Sequence, residues 1–195
     1  MISRRFIDRN AFTLVELLVV IVIIGMISTL SLPSFQNVLR SSAMTSSGSQ
    51  LLDYLSQGRQ TAMTLNQPVR VWFYPGTTND SVILYRSEGT VTGTVTTPAN
   101  KELKLNGAVT LASNTVWSSV LSDAISGTPQ TDPKYSKACY SFRFMPDGST
   151  DLAGTASATL TLIYRTDSGK ASLPSNFFTL QIDRQTGSVR TFRPQ

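Results

Sequence analysis

Uncharged apolar residues fill the first part of the chain beyond Glu16. Residues 17–39 carry no charge, and the segment from Leu17 to Ile27 contains only apolar side chains apart from Gly25. An α-helix over residues 12–32 would extend about 30 Å at ~1.5 Å per residue, which is the thickness of the hydrocarbon core of a bilayer. The pattern therefore predicts a membrane-spanning helix.

The charges that precede this run predict its orientation. Arg4, Arg5 and Arg9 outnumber the acid among them, Asp8. Because positive charge is retained on the cytoplasmic side, we expect a single-pass protein with a cytoplasmic N-terminus and its C-terminal bulk across the membrane.

A secretory signal peptide and a plain membrane anchor are the ordinary explanations of such a run. A signal peptide should be followed by a cleavage site of small residues, and residues 33–36 contain no such site. A plain anchor leaves Glu16 unexplained, because a carboxylate buried in lipid costs about 2.5 kcal/mol or more unless it is partnered. Glu16 therefore predicts a cationic partner.

After Pro33, apolar residues recur every three or four positions, as they do on one face of an α-helix. They are Phe35, Val38, Leu39, Leu51, Leu52, Leu55, Ala62 and Met63. Residues 41–49 are rich in hydroxyl side chains and glycine, a composition that allows fraying, a bend or a short loop. Pro68 predicts that the helix ends near Asn66.

From Pro68 onward, the apolar period changes to two, which predicts β-strands. The strong candidates are residues 69–74, 81–86, 138–145, 158–164 and 177–182, and the weaker ones are 90–96, 108–112 and 188–192. Residues 120–125, with Val116 and Trp117, fit either a strand or a short helix. We expect an α+β fold, in which a long N-terminal helix packs on a mostly antiparallel β-sheet head with Trp72, Phe73, Phe142 and Phe144 as core or sheet-face aromatics.

Composition narrows the chemistry. The 195 residues include no His and one Cys, Cys139, which removes imidazole bases, His-ligated metals and intrachain disulfides. Cys139 lies in an apolar strand pattern, where a buried inert thiol is expected. The acids at turn positions have no EF-hand spacing, and turn formation explains them more simply than Ca²⁺ binding does. These acids are Asp80, Asp123, Asp132, Asp147, Asp151 and Asp167. We therefore expect no enzyme, no metal and no cofactor.

Residues 11–25, AFTLVELLVVIVIIG, resemble the N-terminus of type IV prepilins and type II secretion pseudopilins. In that family, a prepilin peptidase removes the basic leader on the cytoplasmic side, and the new amino group is N-methylated. The resemblance implies cleavage between Ala11 and Phe12, with methylation at Phe12. It also implies that Glu16 is the assembly residue and pairs with the Phe12 amine of a neighbouring subunit.

Three further positions bear on this resemblance. The family usually has Gly before the cut, where this chain has Ala11. Gly25 and Pro33 fall where pilins carry a helix Gly and a helix Pro, and the stretch between them is where related filaments can lose helical order. A simple kink in a continuous helix is the alternative.

Three segments resemble the GspH/FimT minor pseudopilins more narrowly. They are the helix end from Leu51 to Val69 with its Gly58-Arg59 pair, the turn FMPDG at residues 144–148, and the strand IDRQTGSVR at residues 182–190. Residues 176–194 also resemble a cassette found in prepilin-like proteins of Verrucomicrobia-type bacteria. The resemblance implies a minor pilin or pseudopilin, a structural subunit of a type II secretion pseudopilus or a type IV pilus.

DNA binding in natural transformation is the alternative function. The net charge is +5, but residues 1–11 contribute three Arg and one Asp to it. FimT-like proteins can bind DNA through C-terminal basic residues, and Arg184, Arg190 and Arg193 are the candidates here. Three arginines neutralise few phosphates, and solvated charges on an edge strand are the simpler explanation.

The patterns and the resemblance together divide the chain into a leader (residues 1–11), a membrane or filament-core helix (12–33), an amphipathic helix half (34–67) and a β-rich head (68–195). The expected location is the bacterial inner membrane with a periplasmic head, and then a periplasmic or surface filament. The expected partners are other pilins or pseudopilins, the prepilin peptidase, the inner-membrane assembly platform and membrane lipid.

Overall fold

The computed structural model of the chain describes residues 12–74, 80–86, 97–98, 101–123, 125–127, 139–154 and 157–194. Ala11 and the weaker strand expected at residues 90–96 lie outside these ranges. The chain divides into two compact units, Met1–Arg40 and Ser41–Gln195.

The first helix, α1, spans Leu14–Leu65, and its backbone is helical at both Gly25 and Pro33. The large apolar side chains described between residues 12 and 27 are exposed, from Phe12 at 79% to Ile27 at 60%. Within the residues that the structure describes, no helix is both long enough and apolar enough to cross a membrane. The membrane span therefore stays a prediction.

The part of α1 in the second unit buries one stripe of residues. The stripe consists of Met44, Ser47, Gly48, Leu51, Tyr54, Leu55, Gly58 and Ala62. This spacing of three and four residues is the one predicted for Leu51, Leu55 and Ala62. Val38, Leu39 and Met63, which the sequence assigned to the same helix face, are exposed and do not belong to the buried stripe. Met63 follows Ala62 by one residue, which rotates it by about 100° away from the stripe.

The hydroxyl-rich residues 41–49 are helical, so the fraying, bend or short loop that their composition allows does not occur. A Cβ atom added to Gly48 would lie 2.6 Å from the ring of Phe178. Ser47 is also buried. Small side chains are therefore needed here because the Phe178 ring packs directly against the helix backbone.

The end of α1 follows the sequence prediction. Leu65 is its last residue, and Asn66 has a φ of 51°. The Gln67 N–H donates to the carbonyl oxygen of Ala62 at 3.2 Å. A left-handed residue of this kind ends many helices, and Asn tolerates that conformation better than most residues do.

Two antiparallel sheets are formed by the strands that the structure describes. The strands are β1 (Val69–Tyr74), β2 (Ser81–Arg86), β3 (Thr97–Pro98), β4 (Leu103–Lys104), β5 (Val109–Leu111), β6 (Ile125–Gly127), β7 (Cys139–Phe144), β8 (Ala158–Tyr164), β9 (Phe178–Ile182) and β10 (Val189–Phe192). One sheet has the order β3-β2-β1-β7-β6, with β4 also pairing with β2, and the other has the order β10-β9-β8-β5. A short helix, α2, spans Val120–Asp123, and a 3₁₀ turn spans Arg165–Asp167.

One hydrophobic cluster joins the buried stripe of α1 to both sheets. Phe73, Phe142 and Phe144 line it from the first sheet, and the Phe73 and Phe142 ring centroids lie 5.8 Å apart. Leu160 and Leu180 line it from the second sheet. The predicted α+β fold, a long helix packed on an antiparallel sheet, is confirmed.

All five strong strand predictions are confirmed with shifts of at most one residue at an end, and residues 108–112 and 188–192 contain β5 and β10. Trp72, Phe73, Phe142 and Phe144 are buried as predicted. Residues 120–125 resolve into α2 followed by the start of β6. Strands β3 and β4 were not predicted, because each is two residues long and too short to show a period.

Candidate functional site

The first turn of α1 holds the residues that the sequence assigned to processing and assembly. Thr13 and Glu16 cap the helix reciprocally. The Thr13 backbone N–H and its Oγ1 hydroxyl both donate to Glu16 Oε2 at 2.9 Å, and the Glu16 N–H donates to Thr13 Oγ1 at 3.2 Å. This is a capping box, T-x-x-E, whose spacing is visible in the sequence although it was not predicted.

Within this box, the Glu16 carboxylate is bonded to Thr13, the residue that follows Phe12, which is expected to become the new N-terminus. Both side-chain contacts use Oε2, so Oε1 accepts no hydrogen bond from the described part of the chain. The phenyl ring of Phe12 is exposed. At the start of the helix, one carboxylate oxygen of Glu16 therefore has no hydrogen bond within the described residues, and one aromatic side chain is exposed.

Gly25 and Pro33, the predicted positions of kinking or helix loss, lie within α1. A Cβ atom added to Gly25 would meet no heavy atom within 4 Å. In the single chain, a lack of space for a side chain is therefore not the reason for glycine at this position.

A second cluster lies in the head, where Arg59 joins two turns. Its Nε–H donates to the carbonyl oxygens of Gly148, at 3.2 Å, and Thr186, at 2.7 Å. The Thr150 N–H donates to the Arg184 carbonyl oxygen at 2.9 Å, which ties the same two segments together. The three segments that resemble GspH/FimT proteins, far apart in sequence, therefore meet at one guanidinium group.

Both turns require glycine. Gly148 and Gly187 have φ values of 85° and 64°, a region that other residues rarely adopt. A Cβ atom on Gly187 would also collide with the Gly148 carbonyl oxygen. Because the two turns approach each other at backbone distance, the glycines of FMPDG and DRQTG are structural requirements of the Arg59 cluster.

Hydrogen bonds hold the acids of these turns in their charged form. Asp147 accepts from the Ser149 hydroxyl and N–H, and these bonds hold its pKa below its usual value. Asp183 accepts from the N–H groups of Gln185 and Thr186. The Thr186 bond is the largest cause of a lowered pKa at Asp183, and the charge of Arg190 adds to it. The two carboxylates therefore stabilise the turns while ionised.

The three C-terminal arginines have different surroundings. Arg184 is paired with the carboxylate of Asp123, and its side chain is largely buried. The Arg193 guanidinium donates to the hydroxyls of Thr45 and, at 2.8 Å, Ser41 on α1. Arg190 is exposed on β10. The structure therefore leaves one of the three candidate DNA-binding residues exposed and uses the other two in contacts within the head.

Asp80 is the fully buried acid at the start of β2. Its Oδ2 accepts from the Thr110 hydroxyl at 2.6 Å and from the Leu111 N–H, and its Oδ1 lies 3.9 Å from an Arg165 nitrogen. Asp80 thereby links the first sheet to β5 of the second. The sequence predicted a loop at Asp80 and contained no signal for this burial, because the partners of Asp80 lie thirty or more residues away.

The other described acids at turn positions also have protein partners. Asp151 binds Arg143 at 2.7 Å, and Asp167 binds Lys170 at 2.6 Å. No group of three or more Asp, Glu or Cys residues able to hold a metal ion is found in the described residues. Asp132 and the thiol of Cys139 lie outside what the structure describes.

A protein-family model matches the N-terminal segment of the chain. Residues 8–32 match the model of the prokaryotic N-terminal methylation motif. No curated protein is significantly similar to the chain in sequence.

Two solved proteins resemble the chain in structure. The minor pseudopilin EpsH from the type 2 secretion system of Vibrio cholerae aligns at 11% identity and a TM-score of 0.47, over 77% of this chain and 96% of its own. The type IV minor pilin FimU of Pseudomonas aeruginosa aligns in two crystal forms at 10% and 13% identity. Its TM-scores are 0.44 and 0.45, over 78% and 77% of this chain and 88% and 97% of its own. The motif match confirms what residues 11–25 predict: this protein carries the prokaryotic N-terminal methylation motif.

Proposed function

We propose that this chain is a minor pilin or pseudopilin that joins a filament through α1 after its leader is removed. The observation that carries the proposal is the methylation motif at residues 8–32, with Glu16 in the first turn of α1. Prepilin peptidase cuts between Ala11 and Phe12, and the new Phe12 amine is methylated. The protein then leaves the inner membrane, which it spans once with its head in the periplasm, at the assembly platform.

The capping box supports a specific role for Glu16 in this assembly. Thr13 holds Oε2, while Oε1 accepts no bond from the described residues. In an apolar filament core, an unpaired carboxylate is costly, and the amine of a neighbouring Phe12 supplies the missing cation. Subunits that are out of register leave this charge unpaired, so the pair fixes the axial position of each subunit.

The apolar side chains at the start of α1 support the same function. They are exposed along the helix from Leu14 to Ile27. Contiguous exposed apolar surface of this kind marks a membrane or protein interface. Membrane lipid covers these side chains before assembly, and the helices of other subunits cover them in the filament.

The first experiment tests processing and the charge of Glu16 in the full-length chain. After expression with a prepilin peptidase, the mature N-terminus should be a methylated Phe12 by mass spectrometry. Glu16→Gln keeps a side chain that can cap the helix but removes the charge. It should reduce chemical crosslinks to proteins with the same N-terminal motif by about tenfold or more, since it removes the charge pair.

Thr13→Ala is the matched control, because it removes the cap and keeps the charge of Glu16. It should cost about 1 kcal/mol of helix stability and leave crosslinking close to that of the parent chain. A mature N-terminus before Phe12 would contradict the processing step. Unchanged crosslinking in Glu16→Gln would contradict assembly through this residue.

The placement of the C-terminal arginines favours this role over DNA binding. Arg184 and Arg193 are engaged within the head, and the one arginine that is left, Arg190, could neutralise about one phosphate. DNA binding is not needed to account for Arg184, since its pair with Asp123 connects α2 to the end of β9.

A further inference from the structure

Two arginines lie directly opposite each other in the first sheet. Arg70 of β1 is the register partner of Arg143 of β7. Residues paired in this way point to the same face of the sheet, about 5 Å apart at their Cβ atoms, and like charges in such a pair are destabilising. A sheet that places two guanidinium groups together therefore needs anions to balance them.

One carboxylate partners this arginine pair in the described part of the chain. Asp151 accepts from the Arg143 N–H through Oδ1 and from the Arg143 Nε–H through Oδ2, the latter at 2.7 Å. Both oxygens of the carboxylate are thus bonded to Arg143. The group formed by Arg70, Arg143 and Asp151 keeps one uncompensated positive charge.

That charge belongs to Arg70. Its guanidinium carbon lies 5.5 Å from the centre of the Trp72 ring, which is a cation–π contact. Its Nε is buried, and no hydrogen-bond partner for it is found among the described residues. Burial, and next the charge of Arg143, lower the pKa of Arg70, while Asp151 acts in the opposite direction.

We propose that Arg70 and Arg143 form a recognition site for a carboxylate on a neighbouring filament subunit, an inference that rests on the proposed function. The planar donor fork of Arg70, held over Trp72, matches the two oxygens of a carboxylate. The Nη groups of Arg143 supply further donors, because its bonds to Asp151 use only the backbone N–H and Nε.

Charge matching favours a carboxylate over a phosphate. The site carries one excess positive charge, which a single carboxylate neutralises, whereas a phosphate monoester is close to dianionic at neutral pH. Nucleic acid needs a row of such contacts for useful affinity. The site therefore fits the carboxylate of an acidic side group or of a polypeptide terminus better than DNA.

The test uses the full-length chain in detergent, labelled with ¹⁵N at arginine, with acetate as the probe. Acetate should shift the Nε–H resonances of Arg70 and Arg143 with saturation. Arg70→Gln should weaken acetate binding at Arg143 by about tenfold, since it removes charge-assisted hydrogen bonds. Arg190→Gln, which removes an exposed arginine of β10, is the matched control and should leave acetate binding unchanged.

A stability measurement separates recognition from a structural role. Without added anions, Arg70→Gln should unfold at the same or a higher urea concentration than the parent chain, because it relieves like-charge repulsion and an unpaired buried Nε. Added acetate should stabilise the parent chain more than the variant. A structural role predicts the opposite, a clear loss of stability in Arg70→Gln.

Other outcomes would overturn the proposal. Shifts without saturation, or equal shifts at Arg190, would show ionic screening only. Inorganic phosphate or a short single-stranded oligonucleotide that binds more tightly than acetate would replace the carboxylate by a phosphate. Because acetate binding does not require processing or Glu16, these outcomes are independent of the assembly experiment, and either proposal can fail alone.

Discussion

One helix serves two regions of this molecule and is treated differently by each. Before Ser41, its described large apolar side chains are exposed, with Leu18 at 51%. After Ser41, Met44, Leu51 and Leu55 are at 0%. Local helix propensity cannot cause this difference, because both parts are helical. The first region exposes its apolar side chains, whereas the second packs them against its own sheets.

The largest expected difference between the two regions comes from shortening one leucine in each. Leu51→Ala should lower the free energy of unfolding of the head by about 2–5 kcal/mol, because it removes a fully buried side chain and leaves a cavity. Leu18→Ala, at an exposed position, should change it by less than ~0.5 kcal/mol. Tryptophan fluorescence in urea measures the head selectively, since Trp72 and Trp117 both lie in the second unit. Similar losses of stability in the two variants would refute the difference between the two parts of α1.

Replacing one glycine in each region gives a second test, with a smaller expected change in stability. Gly48→Ala should destabilise the head by about 1–3 kcal/mol, because the new methyl group overlaps the Phe178 ring. Gly25→Ala has open space around it and gains up to ~1 kcal/mol of helix propensity. Gly48→Ala combined with Phe178→Leu should recover part of the loss. A Gly48→Ala variant that is as stable as the parent chain would show that no close packing exists there.

The same contrast explains what sequence reasoning could predict. Regions with a local period were predicted well: β1, β2 and β8 were placed to the residue, and Pro68 located the helix end. The composition of residues 41–49 allowed fraying, a bend or a loop, because hydroxyls and glycine weaken an isolated helix. In the folded chain, the contact with Phe178 compensates for this weakness. Composition alone does not tell a flexible segment from a close-packed one.

Sites built from distant partners were predictable only in part. The processing motif is contiguous, and residues 11–25 therefore revealed it directly. Arg59 lies in one of the segments that resemble GspH/FimT proteins. Its bonds to the turns at Gly148 and Thr186, however, span about ninety or more residues and leave no local pattern. The burial of Asp80 and the pairing of Arg70 with Arg143 depend in the same way on which strands become neighbours.

The smallest expected effect is that of acid, which should destabilise the head more than the exposed part of α1. Bonds from Thr186 and Ser149 lower the pKa values of Asp183 and Asp147 in the folded head. A lowered folded-state pKa contributes stability above the usual value of 3.8, and this contribution is lost as the pH falls below it. Urea unfolding of the head should therefore shift to lower urea as the pH falls from about 5 towards 3.

Asp183→Asn identifies the source of this acid sensitivity. The variant should be less stable than the parent chain at neutral pH and lose less stability on acidification, because the titrating group is gone. Helical circular dichroism in detergent should fall less than tryptophan fluorescence reports for the head, since the exposed part of α1 contains neither carboxylate. If the parent chain and Asp183→Asn respond to acid equally, the Asp183 carboxylate is not the group on which acid acts.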